Sequence, residues 1–145
     1  MLQNLREHGI DPAGVEFRQT TSAETFAATE QLGETFDFIL IDGNHKLRCV
    51  TEDLRWTSRL NPGGYVCLHD CLPQFPGVTI SSRAFLKRNP NYEVVHHVNS
   101  LLVLRKQSAS PRPEVSALQL AGAHLRTPMI QLGKSVRKRL AKLRG

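Results

Sequence analysis

Long apolar runs are missing from this sequence: none reaches the roughly eighteen residues that a membrane-spanning helix needs, so no span is expected. Cysteine is scarce. Cys49, Cys67 and Cys71 are odd in number, show no CxxC spacing and follow no secretory signal, which argues against a disulfide framework or a zinc site and points to reduced thiols in the cytoplasm. The opening stretch, MLQNLREHGIDP, carries charge where a signal peptide would need an apolar segment, so no leader is expected. Internal repeats are absent. At 145 residues the chain is long enough for one domain with a buried core.

Acidic residues are scarce at one end only. Residues 1–105 hold ten Lys and Arg against twelve Asp and Glu, a net of −2, whereas residues 106–145 hold nine against one, a net of +8. The overall charge of +6 therefore describes neither part, and nucleic-acid binding by the whole chain would rest on the tail alone.

Residues 37–45 read DFILIDGNH, an apolar run that ends abruptly in an acid, a glycine, an amide and an imidazole. Such a run, bounded by turn formers, is the pattern of a strand buried on both faces of a parallel sheet. Asp42 then falls at the C-terminal rim, where open α/β sheets bind ligands. Taken alone, Asp42, Gly43 and Asn44 read first as a turn that caps the next helix.

Around this strand the pattern alternates. Residues 2–8 read as a helix end stopped by Gly9 and Pro12, VEFRQ (15–19) as a short strand, and SAETFAATEQL (22–32) as a helix with Ser22 as its N-cap. Leu47, Val50, Leu54 and Trp56 give a helical period between 46 and 60, which NPGG closes as a stop and tight turn. YVCLHD (65–70) is a second buried-type strand. A helix near 78–88 follows, then YEVVHHV and SLLVLRK, a hairpin turning at Asn99 and Ser100. The sum is an α/β fold with a mostly parallel sheet and an antiparallel edge hairpin over 1–106, a linker over 107–127 and a basic amphipathic helix over 128–145.

Two successive strands thus end in acids, Asp42 and Asp70. If a right-handed helical crossover joins them as parallel neighbours, both carboxylates emerge on one rim. Paired hard oxygen ligands suit Mg²⁺, and His45, three residues past the first acid, could serve as a general base.

The string FDFILIDGNHKLRCVTEDLRWTSRLNPGGYVCLHDC resembles the second half of class I S-adenosylmethionine-dependent methyltransferases, in particular a metal-dependent small-molecule O-methyltransferase group with IDG-x-H, L-x-P-G-G and H-D motifs. The resemblance covers roughly residues 1–106 and is most specific over 36–71. It implies an incomplete Rossmann-like methyltransferase sheet, methyl transfer from S-adenosylmethionine to a small-molecule oxygen, Asp42 and Asp70 as metal ligands for Mg²⁺, His45 as the catalytic base and Ser22 as a contact to the cofactor's adenine. Asp53 matches a helix acid of structural character. Two positions depart from the pattern: Asn44 stands where an acid is common, and Cys71 where catechol-type relatives place an amide ligand. A second comparison, with the GNH block of metallophosphoesterases, fails because Lys46 occupies the position of the following acid and the flanking metal-binding blocks are absent.

In the resembled fold a glycine-rich E/D-x-G-x-G turn and a ribose-binding acid precede the segment seen here, and neither is found in this sequence. VEFRQ corresponds to the family's third strand, and the two strands that would lie between it and DFILID are not in the chain. DFILID then becomes an open edge that invites another strand. VEFRQ moves in beside it, a partner or second copy supplies the strands, or the reading frame is incomplete, which is the expectation. The isolated chain is accordingly not expected to methylate a substrate, and a non-catalytic remnant or interaction module is the alternative. The partners implied are a small-molecule acceptor, a missing N-terminal half or second copy, and an anionic membrane touched by the tail.

Overall fold

The computed structural model describes residues 2–142. Leu143 and Arg144 of the expected basic amphipathic helix, with the side chains of Arg137, Lys138, Leu140 and Lys142, lie outside the described residues. The elements are α1 (Leu2–Glu7), α2 (Ser22–Ala28), β1 (Phe36–Ile41), α3 (Leu47–Asp53), β2 (Leu60–Leu68), α4 (Pro76–Arg88), β3 (Tyr92–Val98), β4 (Leu101–Lys106) and α5 (Ala117–Lys142). Short 3₁₀ turns at Pro12–Gly14, Glu30–Leu32 and Leu54–Arg59 complete the chain.

The four strands form one sheet in the order β1-β2-β4-β3. β1 and β2 are parallel, with Ile39 opposite Val66 and Ile41 opposite Leu68. β4 runs antiparallel to both β2 and β3, so three strands point one way and β4 alone is reversed. The fold is thus the mixed α/β sheet expected, with the hairpin forming one edge. Asn99, at φ 52°, makes the turn between β3 and β4.

Alternation across the strands places Ile39, Ile41, Val66, Leu68, Leu102 and Leu104 on one face, where they meet Val50 of α3, Leu54 of the 3₁₀ turn that follows it, Val78 and Phe85 of α4 and Leu120 of α5. Val66, Leu68 and Leu104 are completely buried there. On the other face Phe38, Leu40 and Tyr65 are exposed. The core is therefore one-sided.

Four expectations are corrected. VEFRQ is extended but unpaired: Glu16 and Arg18 satisfy each other at 2.6 Å and Phe17 is exposed. A five-residue segment has no stable strand structure without a ladder to join, and it does not move in beside β1. The N-cap of α2 is Thr21, not Ser22. Thr21 Oγ1 accepts the Glu24 N–H while Glu24 accepts the Thr21 N–H at 3.0 Å, a capping box that leaves Ser22 inside the first turn. NPGG is not a stop before the strand but its first part. Gly63 has φ 88°, and a Cβ on Gly64 would meet the Asn61 and Asp37 carbonyl oxygens at 2.9 Å. Finally, α5 starts at Ala117, so residues 117–127, expected as linker, are helical, and Pro128 lies inside the helix.

The segment between β4 and α5 is tied down by a buried ion pair. Lys106 Nζ lies 2.9 Å from Glu114 Oε1, with both side chains 4% exposed. Lys106 also donates to the Thr57 carbonyl, which accepts the Tyr92 hydroxyl as well. Asn89 reaches the same strap by donating to the Glu114 carbonyl at 3.0 Å.

Candidate functional site

The parallel pairing of β1 and β2 carries their C-terminal ends to one rim. There the His69 N–H donates to the Ile41 carbonyl at 3.0 Å, fixing the two exits side by side. Asp42 Oδ1 lies 2.9 Å from His69 Nδ1. The next residue, Asp70, has φ 55°, a left-handed conformation rare for a residue with a side chain. That turn brings the Asp70 carboxylate to 3.7 Å from His69 Nδ1 and to 3.3 Å from Nε2 of His45.

His45 is held from two sides. Its ring packs against Phe75, with centroids 4.7 Å apart, and its backbone lies flat against α4. A Cβ on Gly77 would collide with the His45 carbonyl oxygen and with Leu47 N, so only glycine permits this approach. Asn44 Oδ1 accepts the Lys46 N–H at 3.0 Å and turns the chain into α3. His45 Nε2 is buried and, although within ion-pair range of Asp70, has no hydrogen-bond partner in line.

On the other side of Asp42, β1, α2 and α3 enclose a cleft of about 330 Å³ lined by Ser22, Ile41, Asp42, Gly43, Asp53 and Trp56 among others. A second cleft of about 520 Å³ shares Ser22, Gly43 and Asp53 and reaches His124 of α5. Ser22 Oγ accepts the Trp56 indole N–H at 2.8 Å. Burial pushes the Asp53 carboxyl up, a hydrogen bond from Ser22 partly offsets this, and the nearby Glu52 charge adds to it. An acid raised by burial in a cleft is a candidate binding group, which changes the standing of Asp53 from a structural helix acid to a wall of the site.

The sequence-expected residues therefore divide. Asp42, Asp70 and His45 share the rim, and Ser22 sits in the adjoining cleft, with Asp42 common to both. His69 was missed. Its signal was the strand period itself: continuing the alternation of β2 by one residue turns His69 to the side opposite Leu68, next to the exit of β1.

Residues 2–71 match the family model of a methyltransferase domain. The match ends one residue past Asp70, so Ser22, Asp42, His45, Asp53 and Asp70 all lie within it and the β3–β4 hairpin and α5 lie beyond it. The match covers 70 of the 145 residues, and the open α/β sheet is in keeping with it. No curated protein matches the chain significantly.

The carboxylates expected to hold Mg²⁺ each have a histidine neighbour, Asp42 facing His69 and Asp70 facing His45, and among the described residues no three His, Cys, Asp or Glu side chains converge to hold an ion. The first cleft fits part of a nucleoside. It offers an apolar and indole wall, hydrogen-bonding groups at Ser22 and Asp53, and backbone at Gly43 whose nearest neighbour to an added Cβ is Asp53 Oδ2 at 3.6 Å.

Proposed function

We propose that this chain carries the acceptor-side part of a methyltransferase domain, transferring a methyl group from S-adenosylmethionine to an oxygen of a small molecule. The observation that carries this reading is the His45 imidazole nitrogen, buried at the rim without an aligned partner beside Asp70. Bound S-adenosylmethionine supplies an electrophilic methyl on a sulfonium, and the electrons of the broken S–C bond remain on sulfur. The cofactor end nearest this chain would be held by Ser22, Asp53 and the Trp56 wall.

Acting as a base requires the His45 tautomer with the proton on Nδ1, which leaves the lone pair on Nε2, the atom 3.3 Å from the Asp70 carboxylate. An acceptor hydroxyl arriving there gives its proton to Nε2 as its oxygen forms the new C–O bond. The Asp70 carboxylate, 3.3 Å away, stabilises the imidazolium that results. Positive φ at Asp70 is the conformational cost of aiming that carboxylate. Asp42 orients His69 on the opposite side of the rim and so shapes the acceptor entry. No step requires a metal.

Trp56 is the sole tryptophan, so its fluorescence reports directly on the cleft. Titration with S-adenosylhomocysteine should change its emission saturably and with low affinity. The glycine-rich turn and ribose acid of the family are not in this sequence, and several hydrogen bonds of about 1–3 kcal/mol each are forgone, which moves a micromolar constant towards about millimolar. Unchanged emission at concentrations of several millimolar, or a response that survives Ser22→Val with Asp53→Leu, would remove the cofactor assignment.

A second reading, an interaction module that retains only part of the fold, is favoured by one observation. β1 ends the sheet, so its outer backbone edge is unpaired, and the uncovered face beside it exposes Phe38 and Leu40. A missing N-terminal half or second copy pairing with β1 would satisfy this edge.

A further inference from the structure

α5 presents two different faces. Leu120, Ala123 and Thr127 turn inward onto the domain, where Ala123 and Thr127 are buried. Leu118, Leu125, Met129, Leu132 and Val136 turn outward and remain 83%, 76%, 72%, 68% and 47% exposed. Advancing about 100° per residue, these five stay within an arc of about 60° along more than four turns of helix. Large apolar side chains scattered singly on a surface need no explanation, but a straight outward stripe of this length does.

Charge selects what covers it. After Glu114 the sequence contains seven Lys and Arg and no Asp or Glu. We propose that the outward stripe of α5 seats on an anionic lipid surface, the helix lying in the plane of the interface with Leu118, Leu125, Met129, Leu132 and Val136 dipped among the acyl chains. A second copy placed on the stripe would bring two wholly basic helices together with no acid to alternate with them, which disfavours self-pairing. A nucleic acid or other polyanion would neutralise the charge yet leave five apolar side chains in water. An anionic bilayer meets both needs at once. The inner face stays docked on α3, so the domain is carried with the helix. Lys134 Nζ lies 5.6 Å from the ring centre of Phe75, which itself packs on His45, so the surface-seated helix borders the rim. This proposal stands apart from methyl transfer and is tested without it.

The test is co-sedimentation of the whole chain with phosphatidylglycerol-rich vesicles and with pure phosphatidylcholine vesicles, at about 0.05 M and about 0.5 M salt. The expected result is pelleting with the anionic vesicles alone, largely lost at the higher salt. Leu125→Gln with Met129→Gln and Leu132→Gln should lower the bound-to-free ratio by about tenfold or more while far-ultraviolet circular dichroism stays unchanged. No pelleting at low salt overturns the proposal, as does equal pelleting with neutral lipid. Binding undiminished by the triple variant would mean a purely electrostatic polyanion contact, and a dimer in sedimentation velocity that the triple variant dissolves, without vesicle binding, would mean a second copy; either result also overturns it.

Discussion

Thr127 of α5 caps α3: its hydroxyl oxygen accepts the backbone N–H of Arg48 at 3.0 Å across 79 residues of sequence. The residue at the local cap position, Lys46, makes no side-chain cap bond, so one orphan donor of α3 is met by another helix. Thr127→Val keeps the shape and removes the acceptor. Its urea midpoint should fall by the equivalent of about 0.5–2 kcal/mol, with Thr127→Ser close to wild type.

Gly77 and Gly122 make a matched pair for backbone packing. Gly77→Ala forces its methyl group into the His45–Leu47 backbone, so we expect a loss of about 1–3 kcal/mol together with altered His45 ring resonances. Gly122 has open space around an added Cβ and sits inside α5, so Gly122→Ala should gain about 1 kcal/mol. Thermal melts of the two variants check both signs.

Asp53 gives a dependence on pH. Its folded carboxyl is raised by burial above the ordinary 3.8, so the folded state holds that proton more tightly than the unfolded chain does. The contribution favours folding below about the ordinary value and is lost as pH rises through the raised one. At neutral pH the charged form opposes folding. Asp53→Asn should therefore flatten the stability profile above pH 3.8 and leave the neutral melting temperature equal to or above wild type, measured by melts across a pH series. A lower neutral melting temperature would show that the Ser22 bond to the charged carboxylate outweighs its desolvation.

In any preparation that methylates, His45→Ala should lower kcat by about 10²–10⁴ with little change in KM for the cofactor. Excess chelator should leave the rate unchanged, since the rim carboxylates face histidines. A rate abolished by chelator and restored by Mg²⁺ would reinstate the ion and demote His45.

The open edge of β1 should make the chain self-associate at high concentration. Phe38→Lys with Leu40→Lys places charge on that strand without touching Ile39 or Ile41, and should lower light scattering while the melting temperature holds.

Much of this architecture was legible because the signals were local. DFILID and YVCLHD announce strands by their apolar runs and Asn99 with Ser100 announces a hairpin, so the rim holding Asp42 and Asp70 followed from strand ends; but DFILID is not buried on both faces as expected, since no layer covers Phe38 and Leu40. What failed depended on distant partners. VEFRQ has strand-like residues but nothing to pair with, and no window of sequence reports a missing neighbour. Ser22 and Thr21 are both acceptable caps; the choice fell to Glu24, which accepts from Thr21 and is drawn down to about 2 chiefly by that side-chain bond. The tail helix was expected to begin at 128, yet α5 starts at Ala117 and runs through Pro128, with Ala123 and Thr127 of the preceding turn buried against the domain.

The Lys106–Glu114 pair has a dynamic consequence. Detaching α5 by swinging the strap away would strand an ammonium or a carboxylate in the interior, at roughly 3–5 kcal/mol for one uncompensated partner. Helix and sheet therefore open together rather than in sequence. Amide hydrogen exchange should find Ala123 and Thr127 protected to the same depth as Val66 and Leu104, a single cooperative unit in which the helix that reaches outward is as hard to open as the core it rests on.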